Sequence, residues 1–404
     1  MRKLRLGSAI LTLGLALSAC GGGSEAAEST APQVDVAKLD SGNNPTTPVD
    51  LESTRTPTSG ALREAIRIGA ATPVAFQFDP RFVYATGYKG GRHLTEADPP
   101  YFSGSGIESK DFNTAIPGIV AGWESSADRR AELSAGRSVE TITLRFSTAD
   151  QAKFAATELS NRSPGTARQI PGYSDALAKV EVKSEPLPSQ NVRAWLTRGD
   201  LLLSIRISDP IGLPYDADAD ATVAQRFFDK QIEMLRSYTP TPLKEIAELP
   251  LDTESLLSHT LPTEASKRPN KGTSSSAVYP LQAVLHLEEK PADIATAYAD
   301  AGIDYVAFDT GSIYRARDAA AALRFRAALD KDPEGNPDYM KVESPPNLPV
   351  VNCYNATPKV KYASDAPPVC HGVIGRYAFG VSGTNLQDVY QRAAAQYKLL
   401  VGFS

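Results

Sequence analysis

The stretch Val306-Ala307-Phe308-Asp309-Thr310-Gly311-Ser312 is the part of this chain most suggestive of chemistry. Two apolar residues and a Phe before Asp-Thr-Gly-Ser match the active-site loop of an aspartic protease. Such chemistry needs a second carboxylate, so that two Asp groups share one proton. Leu39-Asp40-Ser41-Gly42 offers a second Asp, but in a polar, Thr- and Pro-rich segment rather than a β-rich lobe. Behind Asp309 the sequence turns helical within a few residues ("YRARDAAAA"), where a protease lobe needs more strand. Asp309 therefore reads as a turn residue entering a strand.

The other chemical signals are weaker. Asp216, Asp218 and Asp220 have the spacing of a calcium loop, but Ala221 stands where that loop needs Gly and Phe227 where it needs Glu. Acidic residues there suit the start of a helix. His93, His259, His286 and His371 are scattered, with no HExxH, no paired Cys/His set and no GxSxG. "GYKGGRHL" lacks a phosphate-loop Lys-Ser/Thr pair, and Trp123 reads as a core or rim aromatic. No metal site, cofactor or catalytic residue is expected. A hydrolase remains the second alternative, with Asp309 its most visible candidate.

The N-terminus carries more. Arg2, Lys3 and Arg5 form a basic flank, and ten apolar residues follow, too few to span a bilayer but suited to a signal-peptide core. Leu17-Ser18-Ala19-Cys20 then has the pattern of a bacterial lipobox, with Gly-Gly-Gly behind it. Residues 1–19 are thus expected to be removed and Cys20 to carry a diacylglycerol, whose two acyl chains anchor stably. The chain is net acidic, with a formal charge of −5, which argues against nucleic acid as a partner. In an oxidising compartment Cys353 and Cys370 are expected to pair, closing a loop of 16 residues. A metal reading of that pair has only His371 as a nearby third ligand.

Composition divides the rest. Residues 20–60 read as a flexible tether; fully extended at about 3.3 Å per residue they reach roughly 130 Å. Residues 61–238 and 281–404 read as two α+β domains of similar topology, each a small, mainly antiparallel sheet covered by helices. Residues 239–280 read as a linker. In the first domain "SVETITLRF" alternates as a strand. The following helix has a Ser/Thr cap and is expected to bury Phe154, Ala155 and Leu159. Arg198-Gly199-Asp200 is a hairpin signal, and the next helix carries Val223, Phe227, Ile232 and Leu235 on one face. The second domain repeats the order, and an alignment of the two sets Tyr314 opposite Phe146 and Asp318 opposite Asp150, an internal duplication.

Together the lipobox, "LDSGNNPTTPVDL", "TGSIYRARDAAAA" and "GRYAFGVSGTNLQDVYQRAAAQYKLL" resemble a family of uncharacterised lipoproteins of mycolic-acid-containing actinobacteria. The resemblance implies an exported, lipid-anchored envelope protein with a two-part α+β fold and no known active site. The expected role is non-enzymatic binding of an envelope protein, glycan or lipid, with membrane attachment through Cys20. A carrier for envelope lipids is the first alternative.

Overall fold

Local sequence sets the helix starts. In the computed structural model, which describes residues 34–85, 91–132, 136–185, 188–263, 276–362 and 364–403, short polar side chains cap four long helices. Thr148 accepts from Gln151 N, Asp216 from Asp218 N and Ala219 N, Asp318 from Ala321 N, and Asn385 from Asp388 N. Each bond satisfies a backbone donor that has no partner inside the helix.

The first half contains α1 (Ser59–Ala70), β1 (Tyr84–Ala85), β2 (Gly91–Leu94), α2 (Phe112–Ala115), β3 (Ile119–Asp128) and β4 (Ser138–Phe146). It continues with α3 (Ala149–Arg162), β5 (Thr166–Ala167), β6 (Leu177–Lys183), β7 (Ser189–Arg198), β8 (Leu201–Asp209) and α4 (Ala217–Leu235). The second half contains β9 (Ala277–Pro280), α5 (Leu281–Leu285), α6 (Pro291–Ala301), β10 (Tyr305–Phe308), β11 (Gly311–Arg315) and α7 (Ala319–Gly335). It ends with β12 (Tyr339–Val342), β13 (Val351–Ala356), β14 (Val369–Ile374), β15 (Tyr377–Ser382) and α8 (Leu386–Leu400).

Both sheets are antiparallel and share one topology. The first runs β1-β3-β4-β8-β7-β6-β5, with β2 also on β3; the second runs β12-β13-β14-β15-β11-β10-β9. Reversing the second order superposes β3 on β10, β4 on β11, β8 on β15, β7 on β14 and β6 on β13, with α3 and α7 at equivalent crossovers. The caps correct the register expected for this duplication. Asp318 corresponds to Thr148 rather than Asp150, so Tyr314 falls opposite Leu144.

Alternation along each strand puts helices on both faces. Ile142, Leu144 and Phe146 pack with Ala152, Ala155 and Leu159 of α3. The opposite face of that sheet meets α4 through Val139, Leu203, Ile205, Phe227 and Phe228. In the second half Val306, Tyr314 and Ala378 face α6 and α7, while Ala307, Ile313 and Phe379 face α8. Phe154, expected in the core, is 48% exposed, because α3 turns Ala152, Ala155, Ala156 and Leu159 inward instead.

Two expected non-globular segments are packed. Leu39 is buried against the α8 layer. Lys398 Nζ donates to its carbonyl at 2.8 Å and Gln391 Nε2 to Asp40 Oδ2 at 3.1 Å. Arg55 binds the carbonyls of Ala247 and Leu249. Residues 34–60 are therefore part of the folded body. The expected linker 239–280 likewise buries Ile246, Leu251, Leu256, Leu257 and Leu261, and its last four residues are strand β9. Pro- and Ser-rich composition hid apolar residues that only the sheets could cover. The signal-peptide and lipobox expectations, Cys20 included, lie outside the described residues.

One core joins the halves. Ala65, Ile66 and Ile68 of α1 and Trp123 of β3 pack with Tyr279, Val284, Tyr298 and Phe325 of the second half.

Candidate functional site

Asp309 sits in the turn between β10 and β11, and its carboxylate accepts from the backbone N of Thr263 at 2.7 Å and from the Thr263 hydroxyl. Asp40 instead accepts from Gly42 N and Gln391. The two carboxylates hold different loops and make no dyad. Of the calcium-like series, Asp216 caps α4, and Asp220 is buried with Gln190 donating to it at 2.8 Å and Arg137 beside it at 3.3 Å. Among the described residues no group of three His, Cys, Asp or Glu side chains could hold a metal ion.

Cys353 and Cys370 are paired opposite one another on β13 and β14 and form a disulfide, both fully buried. It braces the hairpin expected from the sequence.

Two of the four histidines lie where the halves meet. His286 Nδ1 is 2.8 Å from Ser125 Oγ and its Nε2 is 3.0 Å from the Thr72 carbonyl. Tyr279 Oη is 3.1 Å from His93 Nε2, and Trp123 stands edge-on to both rings. Burial pushes His286 down to about 4, and burial together with the nearby Arg63 charge does the same to His93. These are neutral junction histidines rather than ligands.

A surface suited to binding lies on the first sheet, on the α3 face but beyond the helix. Ser126, Glu140, Arg206, Arg193 and Lys179 are side by side across β3, β4, β8, β7 and β6. Glu124 flanks this row, paired with Arg92 of β2. Arg92 meets Glu124 at 3.1 Å, Arg206 meets Glu140 at 3.1 Å, and Arg193 meets Glu181 at 3.0 Å. The groups are recessed. Burial pushes the Glu124 carboxyl up to about 7, repulsion from Glu140 adding and Arg92 offsetting part, and burial pushes Asp128 up to about 6. The Nε atoms of Arg92 and Arg206 are buried with no hydrogen-bond partner. Sequence reading missed this face because it depends on register between strands up to a hundred residues apart.

A separate apolar groove of about 460 Å³ runs along α8, lined by Pro345, Pro346, Leu386, Tyr390 and Ala394 with Lys38 at its rim.

Residues 51–251 match the family model for the N-terminal part of a domain of unknown function, DUF7373, and residues 256–402 match the model for its C-terminal part. A solved structure, the extracellular domain of PknH from Mycobacterium tuberculosis, is similar at 13% identity and a TM-score of 0.32, covering 46% of this chain and 99% of that one. No curated protein matches. With both parts present in order across most of its length, the chain belongs to the uncharacterised DUF7373 family.

Proposed function

We propose that this is an exported envelope lipoprotein, anchored through a diacylglyceryl group on Cys20, that works by binding a polar wall polymer at the recessed charged row of its first sheet. The observation that supports the binding role most is the row of charged side chains, Glu140, Arg206 and Lys179 among them, that strand pairing sets side by side and half-buried on this face. Acidic and hydroxyl oxygens of a glycan or its peptide substituents are the complementary acceptors. Export is supported by the lipobox and by the Cys353–Cys370 disulfide, which suits an oxidising compartment.

Two measurements test the reading. Cys20→Ala is expected to release the protein from the membrane fraction and remove the lipid mass; retention would overturn the anchor. Co-sedimentation with purified insoluble wall polymer is expected to weaken about tenfold in Arg206→Ala. No binding by the unmodified chain would overturn the binding role.

The α8 groove supports a second reading, an envelope lipid carrier. Native mass spectrometry of residues 33–404 separates the two. A mass excess lost on denaturation favours the carrier, and a bare mass removes it.

A further inference from the structure

A row on the second sheet has no part in the binding role. Strand pairing sets Phe308, Ser312, Gly380, His371 and Asn352 side by side across β10, β11, β15, β14 and β13. Residues directly opposite share a face. The neighbouring row, Val306, Tyr314 and Ala378, is buried beneath α6 and α7. The Ser312 row lies at the border of that helix layer, and all five of its members are half-buried.

Behind the row stands Asp330 of α7. It accepts from His371 Nδ1 at 2.9 Å, from Asn352 Nδ2 at 2.7 Å and from Arg326 at 3.1 Å. Burial pushes its carboxyl up, but the hydrogen bonds from His371 and Asn352 outweigh that and hold it below the usual carboxylate range. An ionised carboxylate can only accept, so Nδ1 carries a ring proton, which orients the ring with Nε2 facing away from Asp330.

On the other side of the ring is the space left by Gly380. A Cβ there would stand 3.0 Å from Ser312 Oγ, 3.4 Å from His371 Cδ2 and 4.0 Å from His371 Nε2. The serine hydroxyl and the imidazole edge that carries Nε2 therefore flank Gly380 from its two sides, too closely to admit a Cβ between them without a shift.

The first half shows the same row without this arrangement. Six residues before the helix cap, Ile142 replaces Ser312, and the pairings continue to Ser204 and Trp195 in place of Gly380 and His371. Ile142 and Trp195 are buried with Leu94, Phe102 and Phe112 over them. At the positions of Ser312 and His371 the first half carries two buried apolar residues, Ile142 and Trp195, where the second half carries a half-buried hydroxyl and imidazole.

We propose that Ser312, His371 and Asp330 form an acyl-transfer site for a carboxylic ester, with Ser312 as nucleophile, His371 as base, Asp330 as the residue positioning His371, and Phe308 flanking the acyl part. His371 Nε2 takes the Ser312 proton as Oγ bonds to the ester carbonyl carbon. The bond from that carbon to the alcohol oxygen breaks, and the alcohol leaves with the proton. Water, deprotonated by the same nitrogen, then cleaves the acyl-serine, releasing the carboxylic acid and restoring Ser312. This assignment is independent of the anchor and of the charged face.

The test is labelling of the intact chain by a fluorophosphonate probe, mapped by peptide mass spectrometry, with hydrolysis of p-nitrophenyl butyrate alongside. Label is expected on Ser312. Ser312→Ala removes a half-buried hydroxyl that bonds the Gly380 carbonyl at 3.3 Å and also interacts with Tyr314; it should abolish labelling while lowering the thermal midpoint only slightly. His371→Gln should slow labelling by about 100-fold or more. Gly380→Val, which leaves all three side chains in the chain but places methyl groups between Ser312 and His371, should stop labelling. Asp330→Asn should displace the pH profile of labelling, which a purely structural role would not do. No label on Ser312 under conditions that label a control serine hydrolase, or equal labelling of the unmodified chain and His371→Gln, overturns the site.

Discussion

Glu64 of α1 and Arg145 of β4 form a salt bridge of 2.7 Å in which neither side chain is more than 5% exposed. Tyr238 Oη, Thr241 N and Thr241 Oγ1 also donate to the same carboxylate, and Arg67 pairs with it at 2.8 Å. Burial pushes Glu64 up, but these donors outweigh it and hold its pKa below the ordinary carboxylate value. Its stabilisation is thus fully present above the ordinary value and is lost as the pH falls through the depressed one. Glu64→Ala leaves Arg145 buried and short of a partner, so about 3–5 kcal/mol of stability should be lost. Urea unfolding at pH 7 measures it, and a loss below 1 kcal/mol would contradict the network's role.

Glu124 has the opposite sign. Its pKa is raised to about 7, so the folded state holds a proton that the unfolded chain has already released. Stability should fall as the pH rises from about 4.5 to 7, by roughly 2 kcal/mol after allowing for solvent screening of its partly exposed side chain. Glu124→Gln should flatten the urea midpoint over that range. An unchanged slope would show that the carboxyl is not desolvated.

The junction histidines act on the acid side. His93 and His286 are pushed down to about 4, so their contribution is present above the unfolded value of about 6.5 and is lost as the pH falls toward 4. His286→Gln can still bond Ser125 or the Thr72 carbonyl, and should remove about half of that acid-side slope. Tryptophan fluorescence is the natural readout, since Trp123 is edge-on to His286.

Breaking the Cys353–Cys370 bridge, which spans a sequence separation of 17, should cost about 3 kcal/mol by loop entropy. The double variant Cys353→Ala/Cys370→Ala should therefore unfold at a lower urea midpoint, and the oxidised chain should shift to match it when reduced.

Asp309→Ala should cost only about 1 kcal/mol, through loss of the bonds to Thr263. Ser312 labelling and wall-polymer binding should both survive it. Loss of either without loss of folding would restore Asp309 to the chemistry.

Much of this fold is legible in the sequence because it is locally encoded. Thr148, Asp216 and Asn385 announce helices through a polar side chain ahead of a periodic apolar run, and Gly199 marks its hairpin by a backbone turn that other residues resist, with φ +58°. What is not legible depends on register. Ser312 and His371 are 59 positions apart in the chain and share a row only because both strands pair with the strand of Gly380. Residues 239–263 misled for a different reason. Leu251, Leu256, Leu257 and Leu261 have neither helical nor strand spacing, since they cover existing layers as an irregular strap.

The shared core around Trp123, Tyr279 and His286 has a consequence for avidity. Two sheets joined by a flexible linker would have to search for a second contact after making the first. Here residues of both halves share one buried cluster, so the second sheet face arrives at a fixed distance and angle from the first. A polymer long enough to reach both faces would meet an effective local concentration set by one geometry, high at the matching span and falling away on either side. Any molecule engaging both faces at once would be selected by its span as well as by its chemistry.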